Sequence, residues 1–254
     1  MITIKNKASI AKMHTAGQLL SGIMHDVSTS LIRPGVSTAQ IDAFIAESLK
    51  KHELVSCTKG YHGYKHVCCV SVNDEVVHGV PSDTTVLKAG DLVKVDICAS
   101  YKGYCADMAR CFVVGKPTDA QAKLVRVAQQ ALDKGIEQAR AGNRLTDISA
   151  AIQAEVEQHG YGVVRDFAGH GIGKQMHEEP EILNYGKPGR GPVLRVGMSF
   201  AIEPMITDGK FDVYVTKDGW TVKTVDKSLA AHVEDTIVIT EDGPEILTRN
   251  VEHR

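Results

Sequence analysis

Apolar residues recur at helical spacing near the start of the chain. Ile10, Met13, Ala16, Leu20, Ile23, Met24 and Val27 fall three or four positions apart, which predicts a helix over 7–31. Pro34-Gly35 punctuates it. Ser37-Thr38 then precedes Ile41, Phe44, Ile45 and Leu49, a second amphipathic helix with a cap at its start. The texture turns β-like over 66–80, with HVCCVSV followed by Val76, Val77 and Val80. After the turn Lys88-Ala89-Gly90-Asp91, the run LVKVDICAS alternates. Val93, Val95 and Ile97 face one way; Lys94, Asp96 and Cys98 face the other. Tyr101-Lys102-Gly103 leads back into YCADMARCFVV, so 91–114 reads as a β-hairpin. Two more helices are expected over 118–140 and 146–159.

The second half predicts short strands around 163–168, 198–206, 211–216, 220–225 and 232–240. Gly- and Pro-containing turns separate them at GKPGRGP, TDGKF and KDGW. No sequence repeat is visible. Each half nevertheless supplies two carboxylates from apparent strands, which points to a pseudo-symmetric α+β fold. No stretch is rich enough in Gly, Pro or Ser to act as a linker, so a single domain over 1–254 is expected.

Bulk properties narrow the function classes. With 254 residues, 43% hydrophobic and 24% charged, the chain has the composition of a soluble globular protein. A net charge of -2 gives no reason to expect DNA or an anionic membrane as partner. No apolar run approaches the roughly 20 residues of a spanning helix, and the N-terminus has no apolar signal core. A cytoplasmic protein is the expectation. The cysteines are Cys57, Cys68, Cys69, Cys98, Cys105 and Cys111, with no CxxC pair, so reduced thiols are expected rather than a zinc ribbon.

The candidate chemistry lies in Asp96, Asp107, His170, Glu203 and Glu234. Four carboxylates and one imidazole suit hard or borderline divalent ions. Five donors exceed one structural zinc and suit two ions sharing bridging carboxylates. With the hairpin turn centred on Tyr101-Lys102, Asp96 would lie directly across from Asp107, and Cys98 across from Cys105. Two exposed strand aspartates remain an alternative for that pair. His170 is set among glycines in Ala-Gly-His-Gly-Ile-Gly, and His177 follows in HEEP. Glu203 interrupts an apolar stretch just before Pro204, so it must be paired, protonated or metal-bound. Glu234 alone reads equally well as a solvent-facing strand residue.

Longer motifs carry a resemblance. They are GYHGY at 60–64, VVHGVP at 76–81, KVDICASYKGYCADMAR at 94–110, GHGIGKQMHEEP at 169–180, GMSFAIEPM at 197–205, KDGWTVKT at 217–224 and HVEDTIVIT at 232–240. In order and spacing they resemble the type I methionine aminopeptidases of the bacterial kind. The resemblance implies a pita-bread fold: a pseudo-symmetric antiparallel sheet with helices on its outer face. It implies a hydrolase that removes the initiator methionine from nascent chains when the second residue is small. A related Xaa-Pro aminopeptidase or dipeptidase is the alternative.

The resemblance also implies roles. Asp96 would chelate one of two divalent ions (Co²⁺, Mn²⁺, Fe²⁺ or Zn²⁺), and His170 with Glu203 the other. Asp107 and Glu234 would bridge them, and a water between them would be the nucleophile. Glu203 would accept its proton. His78 and His177 would contact the scissile amide. Tyr61, Tyr64, Cys69, His78 and Trp220 would form the methionine pocket. Thr58, Met176 and Cys98 depart from the family pattern without removing a ligand. The implied partners are N-terminal Met-Xaa segments, with transient ribosome association and a monomeric enzyme.

Overall fold

The computed structural model describes residues 1–249. The last five residues of the expected domain, 250–254, lie outside them. Among the described residues there are four α-helices: α1 (Lys7–Ser30), α2 (Thr38–Lys51), α3 (Asp119–Gln138) and α4 (Leu145–Gln158). The first strands are β1 (Val55–Ser56), β2 (Cys69–Val72), β3 (Glu75–Val77), β4 (Leu92–Tyr101) and β5 (Tyr104–Val113). Then come β6 (Gly162–Val163), β7 (Gly169–Gly171), β8 (Glu178–Ile182), β9 (Ser199–Ile202) and β10 (Met205–Thr207). The chain continues through β11 (Val213–Val215), β12 (Val222–Thr224), β13 (Ala230–His232), β14 (Glu234–Ile239) and β15 (Pro244–Ile246).

Local chemistry sets the helix ends. The Ser37 side chain accepts from the Gln40 backbone N–H while Gln40 reaches back to the Ser37 N–H. Thr118 and Gln121 repeat this reciprocal cap at α3. Each box satisfies two backbone N–H groups that the helix leaves without partners.

The main sheet runs β1-β4-β5-β14-β9-β7-β8, with β2 also on β4 and β15 also on β14. All its pairings are antiparallel. Alternation decides which side chains face the helices. Val93, Val95, Ile97 and Ala99 of β4 join Leu20 and Ile23 of α1 and Ile41 and Ile45 of α2 in one core. Phe200 and Ile202 of β9 and Ile237 and Ile239 of β14 join α3 and α4 in another. Full burial of such a side chain is worth about 1.5–3 kcal/mol, far more than helix propensity differences. These cores fix the sheet's outer face, and the intervening residues then face the interior of the curl.

The hairpin differs from the expected register. Tyr101 pairs with Tyr104 and the turn is Lys102-Gly103. Asp96 lies opposite Ala109, and Asp107 opposite Cys98. Cys105 lies opposite Ser100, so Cys98 and Cys105 are not a directly opposed pair. Lys102 and Gly103 both have positive φ (47° and 78°). That is the signature of a two-residue turn matched to strand twist, with glycine at the second position. The aspartates are therefore diagonal rather than opposed. The slip is two residues, so both stay on the same face.

Two expected strands are each divided in two. The 198–206 stretch breaks at Glu203-Pro204, and the 232–240 stretch breaks at Val233. Both breaks adjoin a candidate ligand. Strands β8 and β15 were not expected, and the 163–168 strand shortens to β6.

Candidate metal centre and substrate cleft

A cleft of about 890 Å³ opens inside the curl. Its lining includes Asp96, Asp107, His170, Glu203 and Glu234 together with His78, His177, Tyr61, Tyr64, Cys69 and Trp220. Every residue expected at the site is therefore on its wall. Thr58, Met176 and Cys98 line it too. The donors come from separate elements: Asp96 from β4, Asp107 from β5, His170 from β7, Glu234 from β14, and Glu203 from the break after β9.

The donor atoms converge. One each from Asp107, His170 and Glu234 lie within 4.8 Å of one another, as do one each from Glu203, His232 and Glu234. Asp96 is outside both groups, next to Asp107 on the same sheet face. His170 Nε2 is 3.5 Å from Glu203 Oε1 and 3.9 Å from Asp107 Oδ2. His170 Nδ1 lies 2.9 Å from the Gly171 carbonyl oxygen. A carbonyl only accepts, so Nδ1 carries the hydrogen and Nε2 presents a lone pair to the carboxylates.

Burial controls the protonation of the site. His170 is driven down to about 3, by burial and then by the nearby His177. It is neutral, as a metal ligand must be. Burial pushes Asp107 up to about 7, with the Glu203 charge adding to it. Asp96 is raised well above the carboxylate range by burial and then by Asp107. Glu203 is raised by burial, and Glu234 by burial and then by Asp107. Such a cluster stays protonated or takes up cations.

Divalent metal fits this set on two counts. Buried Asp107 Oδ1 and Glu234 Oε1 have no hydrogen-bond partner in the protein. Buried polar atoms of that kind are rare unless something outside the protein satisfies them. The His170 lone pair also faces carboxylate oxygens, an arrangement that needs a proton or a cation between them.

The residues around the donors have defined partners. His177 Nδ1 is 2.9 Å from the Tyr61 hydroxyl, and its ring meets that of His170 edge to face at 4.3 Å. Burial and then His62 lower the His177 pKa. His78 has a left-handed backbone (φ 58°) and sits against Phe167, with ring centroids 5.5 Å apart. Burial and then His232 hold it down at about 4. Cys69 lies opposite Asp96 across β2 and β4. Tyr64 packs edge to face on Trp220 at 4.9 Å, and its hydroxyl donates to the Cys68 carbonyl.

One residue of the centre was not singled out from the sequence. His232 is buried, with Nε2 3.2 Å from Glu203 Oε2. The available signal was spacing, because it precedes Glu234 by two and so shares its face in an extended segment.

Gly171 lets β8 approach the backbone beside His170. A Cβ there would run into the Glu179 carbonyl. Gly171→Ala should therefore cost about 1–3 kcal/mol by overpacking and shift His170. The checks are a lower Tm and a weaker gain of Tm on adding Mn²⁺. An unchanged Mn²⁺ response would show that His170 does not depend on this close approach.

The metallopeptidase family M24 model matches residues 11–241. The chain belongs to this family, among the methionine aminopeptidases. It is 48% identical to the methionine aminopeptidase of Clostridium acetobutylicum over 248 residues, covering 98% of this chain and 99% of that protein. Identity to the Escherichia coli K12 enzyme is 42%, covering 97% and 94%. The crystal structure of the Thermotoga maritima methionine aminopeptidase superposes with a TM-score of 0.96 at 46% identity, covering 98% of this chain and all of that one. A Pyrococcus furiosus prolidase is more distant, with a TM-score of 0.77 at 26% identity, covering 97% of this chain and 65% of that one. The fold is the pita-bread fold, and the family implies use of divalent metal.

Proposed function

We propose that the protein removes N-terminal methionine from nascent chains whose second residue is small. Two divalent ions of the Mn²⁺, Fe²⁺, Co²⁺ or Zn²⁺ class would be held by Asp96, Asp107, His170, Glu203 and Glu234. The observation that carries the reading is the convergence of these donors, two with unsatisfied buried oxygens, in one cleft beside an aromatic pocket. Identities of 42–48% over nearly the full chain point the same way. The bound ions supply Lewis acidity and make water nucleophilic near neutral pH. Asp107 and Glu234 would be shared between the ions, Asp96 would serve one, and His170 with Glu203 the other.

The protein's own groups then have distinct tasks. Glu203, largely buried beside His170 and His232, would take a proton from attacking water. His232 would orient it through the contact with Oε2. The Tyr61 hydroxyl donating to His177 Nδ1 would leave the ring hydrogen on Nε2, facing the scissile amide. His78, also on the cleft wall, would contact the same amide. Tyr61, Tyr64, Cys69, His78 and Trp220 would enclose the methionine side chain, whose thioether makes favourable contacts with aromatic rings.

We read the catalytic unit as one domain over 1–254, monomeric and cytoplasmic, acting on chains as they emerge from the ribosome, with no DNA partner. Among the described residues no helix is long and apolar enough to cross a membrane. Steady-state hydrolysis of Met-Ala-Ser, Met-Lys-Ser and Ala-Pro-Ala tests the specificity. Only the first should be cleaved efficiently. Equal kcat/KM for Met-Ala-Ser and Met-Lys-Ser would sink the small-residue rule, and preferred cleavage of Ala-Pro-Ala would favour the prolidase-like reading.

A further inference from the structure

Three cysteines gather beside the metal centre, on the concave face of the sheet. Cys57 follows β1, and its N–H donates to the Cys98 carbonyl at 3.0 Å. The β1–β4 register, continued by one residue, places it opposite Cys98. Cys105 enters from the other side of β4, opposite Ser100. Cys98 and Cys105 are buried, while Cys57 is half-buried. The Cys57 and Cys105 sulfurs are 3.4 Å apart.

That distance is informative because β4 lies between the two backbones. Neighbouring strands are about 4.8 Å apart, so two spacings in a flat sheet are about 10 Å. A disulfide needs Cα atoms closer than about 7 Å. The two side chains bring their sulfurs together across β4, which separates their backbones. An inserted atom spans this gap more easily than a direct S–S bond. With bonds of about 2.3 Å, as in thiolate–metal bonds, sulfurs 3.4 Å apart subtend about 95° at the inserted atom. This is a pyramidal angle, suited to a three-coordinate soft centre.

We propose that Cys57 and Cys105 form a two-thiol clamp for a soft thiophile of the trivalent arsenic kind, with Cys98 beside them as a further sulfur. The chemistry needs no oxidant. An organoarsenous oxide, R–As=O, exchanges its oxygen for two thiolate sulfurs: two S–H bonds break, two As–S bonds form, and one water leaves. Arsenic remains trivalent throughout. The adjacent Cys68 and Cys69 do not make such a pair. Cys68 packs in the core under α1 and α2, whereas Cys69 lines the cleft.

Phenylarsine oxide is the probe, added in one equivalent to the metal-loaded protein with excess glutathione to strip singly bonded arsenic. Mass spectrometry and peptide mapping should show one adduct joining Cys57 to Cys105. A dithiol such as dimercaptopropanol should remove it. In a Cys98→Ser background, where no third sulfur can substitute, losing either sulfur removes the intramolecular second bond, so Cys57→Ser should weaken uptake by about 10²-fold or more. Cys105→Ser should do the same, with its Tm confirming a folded protein. Cys111→Ser should retain full uptake. No adduct on the wild-type protein, undiminished uptake by Cys57→Ser in the Cys98→Ser background, or an adduct mapped to Cys68, Cys69 or Cys111 would each overturn the proposal.

Discussion

Stripping divalent metal from the protein should lower its Tm by roughly 10 °C, with a larger drop at pH 7.5 than at pH 5. An ion at 1,000 times its Kd that binds only the folded state adds about 4 kcal/mol. Each kcal/mol moves Tm by about 2–4 °C in a chain approaching this length. The pH dependence follows from the cluster. Without metal, Asp107 is raised to about 7, and Asp96, Glu203 and Glu234 are all raised well above the carboxylate range, chiefly by burial. The folded state then holds protons that the unfolded chain has released. The carboxylate contribution to the stability of the metal-free protein is fully present below the ordinary carboxylate pKa and falls as pH rises through about 7. Metal displaces those protons, so its binding strengthens over the same window. Thermal melts with and without chelator at both pH values provide the measurement. Equal melting curves in a verified metal-free sample would remove the metal centre from the account.

His177→Ala and Asp107→Asn should fail in different ways. His177 is outside the two convergent donor groups and is held by Tyr61. Its loss should leave the Mn²⁺-induced rise in Tm intact but reduce kcat by about 10²–10³, the usual effect of removing one donor to a developing oxyanion. Asp107 is buried, with one oxygen unsatisfied. Its replacement by Asn removes the charge assigned to both ions. Activity and most of the Mn²⁺ response in the melt should disappear together. A His177→Ala protein that no longer responds to Mn²⁺ would overturn the division between holding metal and assisting chemistry.

Much of the site was legible because the chemistry conflicts with its surroundings. Glu203 within MSFAI and MI, and His170 among glycines, are costly placements unless they serve a purpose. The four helices were legible from periodicity, and the observed ends lie within two residues of the three ranges expected, 7–31, 118–140 and 146–159. The hairpin register was less legible. The pattern LVKVDICASYKGYCADMAR fixes faces but not which residues oppose, and the positive φ of Lys102 and Gly103 decided that. Strand β8 escaped notice because HEEPEI has no alternating apolar signal. Its pairing with β7 comes from backbone contact that Gly171 permits. His232 was missed because an isolated histidine beside a stronger candidate drew no separate weight, although its spacing was visible.

The two-residue turn at Lys102-Gly103 makes the catalytic hairpin behave like a parity check. Re-registering β5 against β4 by two positions moves Asp107 along its partner but keeps it turned toward Asp96. A shift of one would send both Asp107 and Cys105 into the helix-packed core and bring Ala106 and Met108 into the cleft. Among changes in this hairpin, even-numbered slips are therefore errors of position, which carry Asp107 roughly 7 Å along the strand without turning it over. Odd-numbered slips are errors of identity, because they exchange the enzyme's inside for its outside.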